Sequence, residues 1–334
     1  MTSLDRFRRR LGTATLLPAL LFLSACAASP IPPGRSMPLS RSMSSSQSAV
    51  HHSISSIGGF HSRNLYVAQI SPTSQIDILR NKTYSEAGTI TSGINHPLAI
   101  DVDRKGRIYV ANDGGSSGGS IEEFAPNNLT SPVFVYTEGV FEPTGVAVDA
   151  HGTVYEAGNT NIEEFYQGSN TPIVQCQVSA NAEVFGIAVD SSGDVFSTVM
   201  EFGTTGVRTA IVEFFGGLGY GRSACQSVVV VDIVPGYGYG IVLDKNQNLL
   251  MAAADQIDIL KPPYTSVSGT IGSGFQGAFD VHINKKNDLV FVTDNLSATV
   301  TVFSYPSGGT VTVLGTGNGI GRPFAAVDAP DAVY

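Results

Sequence analysis

The chain has no tryptophan, three cysteines, six histidines and 19 basic residues against 28 acidic ones. No segment repeats its apolar residues at helical spacing, which excludes a helix bundle and a chain of alternating strands and helices. The one concentrated apolar run, Leu16 to Leu23, is too short and too interrupted to span a membrane. The shortage of Lys and Arg bears on partners. Seven of the 19 basic residues precede position 64, so 64–334 carries 12 basic and 27 acidic residues. Phosphate backbones are held by basic faces, so no nucleic-acid partner is expected.

What the chain has instead is repetition. "QIDILR" at 75–80 returns as "QIDILK" at 256–261, with weaker copies at "SIEEFA" (120–125), "NIEEFY" (161–166), "AIVEFF" (210–215) and "TVTVFS" (299–304). Each copy follows a second phrase: "NLYVAQ" from 64, "RIYVAN" from 107, "TVYEAG" from 153, "DVFSTV" from 194, "NLLMAA" from 248 and "DLVFVT" from 288. A third phrase is apolar and ends in Asp103, Asp149, Asp190, Asp244, Asn284 or Asp328, at intervals of 40 to 54 residues. Short β-branched and aromatic runs between Gly, Asn, Asp and Ser turns read as antiparallel strands. A repeat of this size with about four strands is one propeller blade, and blades must stack to cover their apolar faces. The expected fold is therefore all-β, a six-bladed β-propeller over 64–334. The phrase ending at Asp328 has no strands of its own after it, and "NLYVAQ" has no such phrase before it. The closing blade is thus expected to be shared between N- and C-terminal strands, which leaves no open sheet edge at the seam.

The stretch Pro-Thr-Gly-Val-Ala-Val-Asp-x-x-Gly-x-Val-Tyr at 143–155, with a looser copy at 97–109, resembles NHL-repeat propellers and the related gluconolactonase-like six-bladed group. The absence of Trp argues against WD40 repeats. The resemblance implies the fold but not an activity. Gluconolactonase-like members hold a divalent metal through a Glu and Asn or Asp residues, with an Asn-Gly entry to the innermost strands. The entries here, "NHPLAI", "EPTGVA", "VFGIAV", "YGYGIV", "GAFDVH" and "RPFAAV", lack it. The NHL-type lyase needs several His ligands, and only His96, His151 and His282 lie in the ring, with His151 expected in a turn on the opposite face. A non-enzymatic binding module is the leading expectation. A metal-dependent hydrolase or lyase acting on a small lactone or similar substrate is the alternative.

Residues 1–26 resemble a lipoprotein signal peptide: Arg6, Arg8, Arg9 and Arg10, then an apolar centre, then Leu-Ser-Ala-Cys ending at Cys26. Cys26 is the expected lipidation site. No Asp follows it, which by resemblance to lipoprotein sorting points to the outer membrane or cell surface of a bacterial envelope. Residues 27–63 are rich in Ser with few apolar residues and read as a disordered tether. The expected partners are the membrane, through a lipid anchor, and a protein or small molecule on the propeller.

That second partner is placed by charge. If strands run up and down from the axis outward, the loops gather on two faces. One face collects Asp113, Glu138, Glu142, Glu183, Glu201, Asp232, Asp255 and Asp294 against only Arg208 and Arg322. Asp113, Glu142, Glu201, Asp255 and Asp294 are the expected ligand-binding residues. No cofactor is required, with Ca2+ or another divalent cation as the one candidate. Cys176 and Cys225 fall on outer strands of neighbouring blades. Export permits a disulfide between them, although outer strands splay apart.

Overall fold

The structure, a computed structural model, describes residues 64–328 apart from 115–117, 179–181, 204–205, 219–224 and 234–236. The expected signal peptide with Cys26 and the Ser-rich segment 27–63 lie outside the described residues.

Six four-stranded antiparallel sheets form the ring. Blade 2 holds β4 (Pro97–Val102), β5 (Ile108–Asn112), β6 (Ser120–Phe124) and β7 (Phe134–Tyr136), from the axis outward. Blade 3 holds β8 (Pro143–Val148), β9 (Val154–Gly158), β10 (Asn161–Phe165) and β11 (Val174–Gln177). Blade 4 holds β12 (Ala182–Val189), β13 (Val195–Gly203), β14 (Gly206–Phe214) and β15 (Ser227–Ile233). Blade 5 holds β16 (Ile241–Leu243), β17 (Leu249–Ala253), β18 (Gln256–Leu260) and β19 (Val267–Ile271). Blade 6 holds β20 (Ala278–Ile283), β21 (Leu289–Asp294), β22 (Thr299–Ser304) and β23 (Thr310–Leu314).

Blade 1 is the seam. Its inner strand is β24 (Pro323–Asp328), paired with β1 (Asn64–Gln69), followed by β2 (Gln75–Arg80) and β3 (Glu86–Ile90). Tyr66 faces Val327 and Ala68 faces Ala325 in the β1–β24 ladder. The closing sheet is therefore built from both ends of the repeat region, as the interrupted phrases at its two ends imply.

Burial follows blade position. The second and third strands lie between neighbouring sheets and are buried along nearly their whole length, as in β5 and β9. Outer strands meet solvent, so β23 leaves Val311 and Val313 exposed. Six apolar clusters fill the six gaps between blades. The gap across the seam contains Phe291, Val300 and Val302 of blade 6 against Leu65, Val67, Leu79 and Ala326 of blade 1. Burial of this kind, at about 25 cal/mol per Å² of apolar surface, is the main force closing the ring.

The recurrent strand-ending acid has one structural task. Asp103 Oδ1 accepts the N–H groups of Lys105 and Arg107 at 2.7 and 2.9 Å. Asp149, Asp190 and Asp244 repeat this contact with the residues two and four positions on. Asn284 substitutes in blade 6 because only a side-chain oxygen is needed, and it accepts from Asp288 and Leu289. Neighbouring inner strands are stitched by other side chains. Asp101 Oδ2 accepts Val148 N–H at 2.8 Å and Thr144 Oγ1 donates to Val184 O at 2.7 Å, while Thr293 Oγ1 of second strand β21 reaches the closing inner strand at Phe324 O, 3.0 Å away.

Cys176 and Cys225 are joined, with their Cα atoms 5.1 Å apart. Cys176 lies on β11, but Cys225 sits in the turn before β15 rather than on an outer strand. The splay of outer strands therefore does not oppose the bond. The β14–β15 connection leans onto blade 3, where Leu218 N–H donates to Glu164 Oε2 at 3.3 Å and Cys225 N–H donates to Leu218 O at 2.9 Å.

Candidate functional site

The inner strands enclose an axial channel with a cavity of about 240 Å³. It is lined by β4, β8, β12 and β20 and by the segment from Tyr239 to Leu243. At one end the starts of these strands form an aromatic collar. Tyr239 stacks on Phe279 with centroids 4.9 Å apart, Phe185 meets Tyr239 edge-on at 5.3 Å, and Tyr237 stacks over Tyr239 at 6.0 Å. Phe279 meets Phe324 edge-on at 4.8 Å, and the Arg322 guanidinium lies 5.3 Å from the Phe324 ring centroid. Close passage of the main chain allows this crowding. A Cβ on Gly240 would lie 2.2 Å from Asp280 Oδ1, so only glycine fits there.

Carboxylates stand beside the collar. Partial burial raises Asp113 above its ordinary range, with His96 opposing the rise. Burial and then Asp113 raise Glu142, and burial and then Glu142 raise Glu183. Burial, Tyr237 and Glu183 push the Tyr239 hydroxyl up to about 12. Asp113 thus acts by charge on Glu142, Glu142 on Glu183 and Glu183 on Tyr239, each after the larger effect of burial. Phe141, Phe202, Tyr237 and Leu296 are exposed on loops or strand ends at this same end of the ring.

The five acids expected to bind ligand do not act as one group. Asp113 and Glu142 belong to the mouth. Glu201 lies near the end of β13, opposite Arg208 across the β13–β14 ladder. Asp255 is exposed on the β17–β18 turn, and its charge raises Asp258 after the larger effect of burial. Asp294 is buried, and its carboxylate accepts N–H groups from Gln276, Gly277, Leu296 and Ser297 at 2.8 to 3.2 Å. Its acceptor capacity is spent on the main chain of two loops. Charge-counting treats all acids on a face alike and cannot see this difference. Four of the collar rings, Phe185, Tyr239, Phe279 and Phe324, share one position in the strand entries, with Tyr237 two residues before Tyr239, and this was the signal from which the collar could be found.

Deeper in the channel are Asp101, Asp280 and His282. Burial pushes both carboxyls up to about 6, although the strand N–H groups they accept work the other way. Burial alone would lower His282, but Asp328, Asp101 and Asp280 outweigh it and the net shift is upward. His96 lies in the β3–β4 loop and His151 in the β8–β9 turn, so the three ring histidines occupy separate places.

No protein-family model matches the chain, and no curated protein matches it significantly. Solved structures do match. A chain in the crystal structure of a nidogen/laminin complex aligns with a TM-score of 0.65 at 16% identity, covering 81% of this chain and all of that one. A functionally unknown protein from Desulfotomaculum acetoxidans DSM 771 aligns with a TM-score of 0.56 at 14% identity, covering 80% of this chain and 99% of that one. The likeness is one of fold.

Proposed function

We propose that this chain is an exported, membrane-tethered propeller that binds a partner protein through a cationic side chain at the aromatic and acidic channel mouth. The reading is supported by a collar of five stacked or edge-on rings, with Glu183 acting by charge on Tyr239 and Glu142 on Glu183. An ammonium or guanidinium gains from ring faces and from carboxylates together, most where water is partly displaced. The exposed Phe141, Phe202, Tyr237 and Leu296 add apolar contact of the kind that marks interaction surfaces.

The orientation suits a tether. Asn64 begins β1 at the end of the ring that carries the strand-ending Asp turns, opposite Glu142. A lipid at Cys26 would draw that end toward the membrane and leave the mouth facing outward. The NHL-like phrases and the lipobox-like Leu-Ser-Ala-Cys support this assignment from sequence. The likeness to a chain found in a nidogen/laminin complex gives the scaffold a precedent in an assembly of two proteins. Envelope extract passed over the immobilised mature chain should yield a partner that is lost when Glu142 and Glu183 are both changed to Gln. Retention of the same partner by that variant would reject the mouth as the docking surface.

A further inference from the structure

Blades 1 and 2 share a device that blade 3 lacks. In blade 2, the side-chain amide of Asn112 donates to Glu122 Oε2 and to Gly93 O of the incoming loop, the latter at 2.7 Å. Asn112 Oδ1 accepts Asn95 N–H from that loop at 3.1 Å. In blade 1, Gln69 Nε2 donates to Asp77 Oδ2 at 2.5 Å and to Gly319 O at 3.3 Å, while Gln69 Oε1 accepts Gly321 N–H at 2.7 Å. One amide therefore donates to a buried third-strand acid and anchors the loop that arrives from the preceding blade. Two residues earlier the second strand carries a valine, Val67 or Val110.

In blade 3 the corresponding positions are Glu156 and Gly158, and the third-strand acid is Glu163, directly opposite Glu156 across the β9–β10 ladder. The amide is gone and a second carboxyl has entered. Glu156 is 1% exposed, and its carboxyl oxygens meet no donor from another residue apart from a side-chain contact with the Glu163 carboxyl. Glu163 Oε1 accepts Gln175 Nε2 at 2.6 Å, but its Oε2 is also buried and meets no donor beyond that contact. The incoming loop closes over the pair. A Cβ placed on Gly158 would lie 2.4 Å from Glu156 Oε1, 2.7 Å from Glu142 O and 2.8 Å from Phe141 O, and one on Gly139 would lie 3.4 Å from Glu163 Oε1. The Glu156 carboxyl and the main-chain oxygens of Phe141 and Glu142 thus gather beside Gly158, and the amide that serves the third-strand acid in two other blades is missing.

Buried carboxylates without donors must be neutralised. We propose that a hard divalent cation, Ca2+ by preference, binds between Glu156 and Glu163 beneath the 137–142 loop, with the main-chain oxygens of Phe141 and Glu142 as further ligands. It takes over the work of the missing amide. All the available donors are oxygens, two of them carboxylates, which is the chemistry of calcium rather than of softer metals. Among the described residues no three His, Cys, Asp or Glu side chains converge, so this site relies on main-chain oxygens for its remaining ligands. Without the cation a proton fills the same need, and burial, with Glu163 as neighbour, holds Glu156 well above the usual carboxylate range.

The test uses the mature full chain, stripped with chelator and then titrated with CaCl2 at pH 8. Binding should be seen by calorimetry at one ion per chain, with protons released to the buffer and a melting temperature that rises with calcium. Glu163→Gln should abolish both signals. Glu156→Val places the residue type of blades 1 and 2 opposite Glu163 and should give a folded protein indifferent to calcium. Asp113→Asn with Glu183→Gln removes two carboxylates of the mouth, neither on a residue that supplies a ligand, and should leave the calcium response intact. Absence of calorimetric binding by the unaltered chain overturns the proposal in favour of a shared proton. A calcium response that survives Glu163→Gln, or that is lost with the mouth carboxylates alone, overturns it in favour of binding elsewhere.

Discussion

His282 Nε2 lies 3.1 Å from Asp328 Oδ1, joining the inner strand of blade 6 to the inner strand that closes blade 1. The pair sits where the two ends of the repeat meet, and Asp101 and Asp280 act on the same imidazole from within the channel. Its titration therefore reports on the integrity of the seam.

The pH dependence has a definite sign. His282 is raised, so its stabilisation is full below its unfolded value near 6.5 and is lost as pH rises through the folded value. Asp101 and Asp280 are raised from 3.8 to about 6, so each favours the folded state at low pH and loses that contribution between about pH 4 and 6. Glu122 and Glu213, raised by burial to about 7, extend the same trend toward neutrality. Melting followed by circular dichroism should show stability falling from pH 5 to pH 8 in chelator. A steady rise over that interval would contradict these assignments.

Ring closure predicts a contrast between two valines. Val327 is buried in β24 against Tyr66, whereas Val311 is 55% exposed on outer strand β23. Val327→Asp places an unpaired charge in the seam and should cost more than about 3 kcal/mol, enough to leave little folded protein. Val311→Asp should stay within about 0.5 kcal/mol of the parent. Urea denaturation of the two variants distinguishes them, and equal stability would mean that β24 does not close the ring.

The repeated phrases carried the architecture because blade packing demands the same residue types at the same places in every sheet. The strand-ending acids were legible for the same reason, since Asp103, Asp149, Asp190 and Asp244 all close one kind of turn. The loop acids of the expected binding face could not be told apart in the sequence. Asp294 and Glu142 look alike on a loop count, and what separates them is a set of main-chain N–H groups brought in by the distant 272–277 loop. Glu156 was invisible for a related reason. The aligned phrases show Val110 and Asn112 replaced by Glu156 and Gly158, but that the new carboxyl stands directly opposite Glu163 appears only in the cross-strand register.

The Cys176–Cys225 bond encloses 49 residues of sequence separation and fixes the blade 4 connection against blade 3. Chain-entropy arguments assign such a loop about 4 kcal/mol. Cys176→Ser with Cys225→Ser should lower the unfolding free energy by an amount of that order, seen as a fall in the urea midpoint, with reduction of the unaltered chain reproducing the loss. A midpoint unchanged by either treatment would show that the bond does not form in the folded protein.

Anchoring is read from the first 26 residues and is tested apart from the propeller. Cys26→Ser should abolish incorporation of labelled palmitate and move the protein from the membrane fraction to the soluble exported fraction. Unchanged labelling would remove Cys26 as the lipid site.

The central claim is that the mouth beside Glu142, Glu183 and Tyr239 recognises a cationic group. The most direct measurement is fluorescence anisotropy of a fluorescein-labelled tri-arginine peptide titrated with the mature chain at low salt. We predict saturable binding that weakens at least about tenfold when Asp113, Glu142 and Glu183 are changed to their amides, while the Asp255→Asn variant binds as the parent does. Equal affinity of the triple variant and the parent, or equal affinity of the parent for a labelled tri-glutamate peptide, would contradict the account.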